Sequence, residues 1–152
     1  MYLKVSGSNI IYPYSIQDLK NDNKSTSFST TISDSVLESF NVYKVELRNA
    51  DYDGDYTKDV IETTPTLSGS TYVQTYEIVD ADEITINTRI EQKWEEIREQ
   101  RNQLLFESDW TQFQDSPITG SELTNWQTYR QELRNITTQQ NPYNILWPTK
   151  PW

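Results

Sequence analysis

Asp80-Ala81-Asp82-Glu83-Ile84-Thr85-Ile86-Asn87-Thr88-Arg89-Ile90-Glu91-Gln92-Lys93-Trp94-Glu95-Glu96-Ile97-Arg98 is the stretch on which the fold turns. Asp80 as N-cap, with Glu83 three residues on, has the form of a capping box. From there Ile86, Ile90, Trp94, Ile97, Leu104 and Leu105 recur at spacings of three, four and seven. That spacing lays one apolar stripe along a helix of about 20 residues, about 30 Å long at 1.5 Å per residue. Glu91, Glu95, Arg98 and Glu99 fall on the wet face.

Downstream, Asp109 to Gly120, with Pro117 and Gly120, breaks the pattern. Thr119 and Glu122 have the form of a second capping box, and Leu123, Trp126, Tyr129, Leu133 and Ile136 continue as a second stripe. Two amphipathic helices joined by so short a link are expected to fold back as an antiparallel pair. The Thr/Gln/Asn run after Ile136 ends the helix. Pro142, Pro148 and Pro151 then keep the tail extended.

Upstream the composition differs. Eight of the ten Tyr, three of the four Gly and none of the five Trp precede residue 80. Tyr2–Val5 and Ile10–Tyr12 flank Ser6-Gly7-Ser8-Asn9, an opening hairpin. Lys20–Thr31 is polar and reads as a loop. Ser33–Phe40 is a short helix, capped by Ser33 or Asp34, with Val36, Leu37 and Phe40 on one face. In Val42–Leu47, Tyr43, Val45 and Leu47 alternate with Lys44 and Glu46, the period of a half-buried strand. Lys58–Glu62 and Tyr72–Val79 are two more strands, joined across Thr63–Thr71 by turn residues that include Pro65 and Ser68-Gly69-Ser70. The expected fold is α+β: a small antiparallel β domain over residues 1–79, then a helical-hairpin domain over 80–152 with an extended Pro/Trp-rich tail.

The bulk numbers narrow the function classes. The 152 residues are 34% hydrophobic with a mean hydropathy of −0.80, so any core is modest. The 19 Tyr, Trp and Phe rings compensate, each burying about 150–250 Å². No apolar run approaches the roughly 20 residues of a membrane helix, so no membrane partner is expected. Met1-Tyr2-Leu3-Lys4-Val5 lacks the basic and apolar regions of a signal peptide. The absence of Cys fits a reducing compartment, and the absence of His removes the commonest general base and metal ligand. A net charge of −10, with 13 Lys and Arg scattered among 23 acids, argues against nucleic acid.

Catalysis finds no foothold in the sequence. There is no Gly-x-Ser-x-Gly elbow and no phosphate-cradling glycine loop, and Glu95 and Glu96 point to different faces of one helix. Asp51, Asp53, Asp55, Asp59 and Glu62 fall at positions 1, 3, 5, 9 and 12 of a twelve-residue loop, a register in which oxygen ligands wrap calcium. However, the glycine stands at position 4, Lys58 at position 8, and the flanks read as strands. A solvated acidic loop is the expectation, with no metal, cofactor or catalytic residue assigned.

The Trp residues carry the binding expectation. Trp94 and Trp126 lie within the stripes and read as core. Trp110 sits on irregular backbone, and Tyr143, Trp147 and Trp152 lie in the tail. Exposed rings on irregular backbone mark interaction surfaces, so these four are the candidate partner-binding residues.

Trp94-x-x-x-Arg98-x-x-Arg101-x-x-Leu104-Leu105-x-x-Ser108-Asp109-Trp110-Thr111-Gln112, followed by Asp115 and Pro117, resembles the phage tail assembly chaperone family. So does Trp126-x-x-Tyr129-Arg130-Gln131-x-Leu133-Arg134-x-Ile136, followed by Pro142 and Trp147-Pro148, and the likeness spans roughly Arg89 to Pro151. The segments Tyr56–Pro65 and Val73–Asp80 are similar to stretches that precede this domain in phage proteins. The resemblance implies a non-enzymatic protein that binds a phage tail or tail-fibre subunit and assists its assembly. The alternative it leaves is a structural component of the mature tail, fibre-associated or an adaptor. It implies the host cytoplasm during assembly, with retention in the virion tail under the alternative, and it permits a homo-oligomer within a symmetric tail.

Overall fold

The computed structural model describes residues 1–151. Among the described residues the fold is α+β, with a five-stranded sheet and four α-helices. It divides into two units, Met1–Ala81 and the segment from Asp82 onward.

In the first unit β1 (Tyr2–Ser6) and β2 (Asn9–Tyr14) form the opening hairpin, and β4 (Lys58–Ser68) and β5 (Thr71–Asp80) form a longer one. Both close through two residues, Gly7-Ser8 and Gly69-Ser70, with only the glycine at positive φ, +64° and +65°. Glycine at the first central position is what a type II′ hairpin turn requires. Pro65 lies within β4, where the register shifts between Thr63 and Thr66. Proline donates no ladder hydrogen bond, so a bulge on an edge strand is where a sheet accommodates it.

The sheet order is β2-β1-β3-β5-β4, with β3 at Val42–Glu46. The expectation of an antiparallel sheet is corrected at one pair: β3 runs parallel to β5, with Val45 opposite Tyr72 and Glu46 opposite Val73. Parallel neighbours need a crossover of about a dozen residues or more. Residues 47–57 and β4 together supply it, placing β4 at the outer edge. Leu47 is exposed, because β3 ends at Glu46.

Two short helices cover one face. The expected loop from Lys20 is corrected at its start by α1 (Ile16–Asp22). Ser15 Oγ accepts the Asp18 amide at 3.1 Å while Asp18 accepts the Ser15 amide at 2.9 Å, a reciprocal capping box with Asp in the usual Glu position. α2 (Asp34–Ser39) follows Ser33, which makes no side-chain cap bond. Leu19 of α1 and Leu37 of α2 are buried with Tyr14 and Val42, and Tyr2, Ile16, Phe28, Ile32 and Phe40 pack around them. Val42 and Tyr2 stand on the helix-covered face, since Tyr2 pairs with Lys44 and Lys4 with Val42. Leu3 and Val45, on the other face, are buried too.

The sheet curls until its two edge strands meet. Tyr12 of β2 donates its phenol hydrogen to the Glu62 carboxylate of β4, and Gln74 Nε2 donates to the same oxygen at 2.7 Å. Burial, with Glu62 alongside, pushes the Tyr12 phenol up to about 12.

In the second unit α3 spans Glu83–Glu107, 25 residues. Its N-cap is Asp82, which accepts the Thr85 amide at 2.7 Å, rather than Asp80. Asp80 ends β5 and pairs with Lys58, so the strand holds it out of the helix. α4 spans Gly120–Arg134 after Thr119, whose side chain makes no cap bond, so the second capping box does not form. Ile118, Trp126, Tyr129 and Leu133 make a buried cluster against which Leu104, Leu105 and Trp147 pack. Ile97 is the buried residue of the α3 stripe, while Ile86, Ile90 and Trp94 are half-buried.

The start of the tail, up to Leu146, is looped. After the 3-10 turn Ile136–Thr138, Gln139 and Leu146 exchange two hydrogen bonds, at 3.1 and 2.9 Å. Asn141 Oδ1 accepts the Tyr143 amide at 2.9 Å and its carbonyl accepts the Asn144 amide at 3.2 Å. An Asn-Pro pair favours such a turn, and Pro142 is buried within it. No helix among the described residues is long and apolar enough to cross a membrane.

Candidate binding surface

The surface is organised by the end of α3. A helix leaves its last carbonyls without intrahelical donors, and these need partners when buried. Ser108 is fully buried there, and its Oγ lies 2.8 Å from the Leu104 carbonyl and 2.9 Å from that of Leu105. Arg130 of α4 completes the closure. Its Nη1 donates to the Leu105 carbonyl at 2.6 Å and to Ser108 Oγ at 2.7 Å, and its Nη2 donates to Asp109 Oδ1 at 2.7 Å. Thr111, also fully buried, donates its hydroxyl to the Ser108 carbonyl at 2.7 Å. The planar guanidinium, with donors fixed in a fork, suits three acceptors at once. A positive charge at a helix C-terminus also opposes the macrodipole.

This network sets the 3-10 turn Asp109–Gln112 on which Trp110 stands. The Trp110 ring meets Trp126 edge to face with centroids 6.0 Å apart and remains 45% exposed. Trp126 in turn meets Tyr129 at 5.8 Å. Burial first, then the charge of Glu107, raises the Tyr129 phenol above its ordinary value.

The four candidate rings do not come together as one site. Trp110 stands on the turn after α3. Tyr143 is partly exposed, and its phenol donates to the Arg89 carbonyl at 3.1 Å, on the N-terminal part of α3. Trp147 is half-buried against the Trp126 cluster. Trp152 lies outside the described residues.

Phe106 and Phe113, 78% and 61% exposed, flank Trp110 and were not among the sequence candidates. Phe106 falls beside the α3 stripe and Phe113 follows the turn, so neither belonged to a periodic pattern. Arg130 did carry a signal: it lies four residues after Trp126 and three before Leu133, a cation inside an apolar stripe.

The acidic loop uses its oxygens locally. Asp53 Oδ1 accepts the Asp55 amide at 3.1 Å, and Asp55 Oδ1 accepts the Thr57 amide at 2.9 Å and its hydroxyl at 2.8 Å. Among the described residues no three carboxylates gather into a group able to hold a metal ion.

Residues 94–152 match the phage tail assembly chaperone protein family. Met1–Lys93 lies outside the match, so the sheet of the first unit carries no family assignment. No curated protein and no solved structure matches the chain. Within the tail assembly chaperone segment, Ser108, Asp109, Thr111 and Arg130 are joined by the network at the end of α3, and Trp126, Tyr129 and Leu133 form the cluster beneath it. The motif residues of this family segment are thus in large part those that hold α4 against the end of α3.

Proposed function

We propose that the chain is a non-enzymatic phage tail protein that binds a tail or tail-fibre subunit and assists its assembly in the host cytoplasm. The observation that carries this reading is the family match over residues 94–152. The chemistry agrees: Ser108, Thr111 and Arg130, buried polar residues of that segment, are occupied in closing a helix end, while Trp110, Phe113 and Tyr143, on irregular backbone, stay open to solvent. Large rings at the surface are the usual anchors of protein interfaces. An assembly factor of this kind acts before the particle is complete.

Depletion in the producing phage tests the proposal. With an amber codon in the gene, electron micrographs of lysates should show particles lacking complete tails or fibres, and supplied wild-type chain should restore them. Mass spectrometry of purified wild-type virions should find the chain below the level of any tail subunit. Tailed, fibred particles from the depleted lysate would overturn the assembly role. A stoichiometric virion content would instead assign the chain to the mature tail.

A further inference from the structure

The segment Asn102–Tyr129 contains no Lys or Arg and carries Glu107, Asp109, Asp115 and Glu122. The nearest cation on α4, Arg130, is 8% exposed and already engaged by Leu105, Ser108 and Asp109. In the same segment Phe106, Trp110 and Phe113 stand exposed within eight consecutive residues. They follow one another through the end of α3 and the 3-10 turn, and the Phe113 amide bonds to the Trp110 carbonyl at 3.4 Å. The result is a run of three exposed rings in an acidic stretch of chain that has no exposed cation of its own.

Resting on the reading above that the chain binds a tail protein, we propose that Phe106, Trp110 and Phe113, flanked by Glu107 and Asp115, dock a segment of that protein rich in Lys or Arg and apolar side chains. The aromatic faces attract cations as well as apolar groups, and the carboxylates draw the same cations. A second copy of this chain is a poor occupant, because each copy carries a net charge of −10. Phosphate backbones and anionic lipid surfaces are repelled by the same carboxylates.

The test uses the full chain and a labelled synthetic peptide of Lys, Arg and Leu, followed by fluorescence anisotropy. A Lys/Ser peptide of equal charge and a Glu/Leu peptide of equal hydropathy are the comparisons. The Lys/Arg/Leu peptide should bind tightest. Phe106→Ser with Phe113→Ser should weaken it about tenfold or more while the melting curve stays put, because losing interface anchors costs affinity on this scale. Glu107→Lys with Asp115→Lys should weaken it as well. Ile84→Ser, which removes an equally exposed apolar group at the start of α3, should leave it unchanged. Binding unaltered by both double variants, or a loss of the same size from Ile84→Ser, overturns the proposal. A tail-subunit complex that survives Phe106→Ser with Phe113→Ser also removes this surface, yet leaves the tail-protein reading standing.

Discussion

Arg130 Nη1 lies 2.6 Å from the backbone carbonyl of Leu105, so the end of one helix is closed by a side chain from another, 25 positions along the chain. The same guanidinium reaches Ser108 and Asp109, which makes it the central donor of the second unit. A charge this buried is stabilising only while its partners are in place, and removing one side leaves the other unsatisfied.

Arg130→Lys should therefore destabilise the protein by about 1–3 kcal/mol, because an ammonium cannot span three acceptors set for a fork. Denaturant melts of the variant check this. Asp109→Asn should cost less, since its carboxylate is half exposed and takes only one of the three bonds.

Trp126→Ala should cost about 3–5 kcal/mol, the usual loss for a large buried ring. Trp94→Ala should cost clearly less, because Trp94 is half-buried and lies outside the cluster of Trp126, Tyr129 and Leu133. Thermal unfolding of both variants side by side is the measurement. Equal shifts would place Trp94 in the core after all.

The contrast between these two Trp residues shows what could be read from sequence. Periodicity located both stripes, because a helix of 25 or 15 residues repeats its pattern often enough to be seen. It could not grade burial along the stripe, which depends on where α4 and the tail lie against α3. The seven-residue α1 was missed, since it offers too few turns for a stripe and caps with Asp18 instead of Glu. The parallel pairing of β3 with β5 was missed because it depends on a crossover that no local pattern encodes. At the candidate surface, Trp110 was found as a ring on irregular backbone. Phe106 and Phe113 emerged only once their exposure was known.

Stability should fall at both ends of the pH scale, and the first unit supplies groups acting at each end. Hydrogen bonds from Lys4 and then Tyr14 hold the Asp22 carboxyl below its ordinary value, and those from Tyr12 and then Gln74 do the same for Glu62. A group whose folded pKa is depressed contributes stability above its unfolded pKa and loses it as pH falls through the folded one. The acid loss should therefore begin as pH drops past the ordinary carboxylate values of 3.8 and 4.5. Tyr12 works in the opposite sense: its pKa is raised from 10.0 to about 12, so its contribution is present below 10 and is lost as pH rises toward 12. Melting temperatures across pH should show both arms, and Tyr12→Phe should flatten the alkaline one.

The two units should also fold independently. The chain from Asp82 onward carries its own capped helix, the Arg130 network and a buried cluster. Expressed alone, it should give a helical far-UV circular dichroism spectrum and a cooperative melt. A random-coil spectrum would show that the sheet is needed.

Co-expression of the full chain with each tail and tail-fibre subunit of the producing phage, followed by size-exclusion chromatography, tests the central claim most directly. One subunit should remain soluble and co-elute with the chain, and should lose both properties when the chain is omitted. If every subunit is equally soluble with and without the chain and none co-elutes, the chain does not assist tail assembly by binding a subunit.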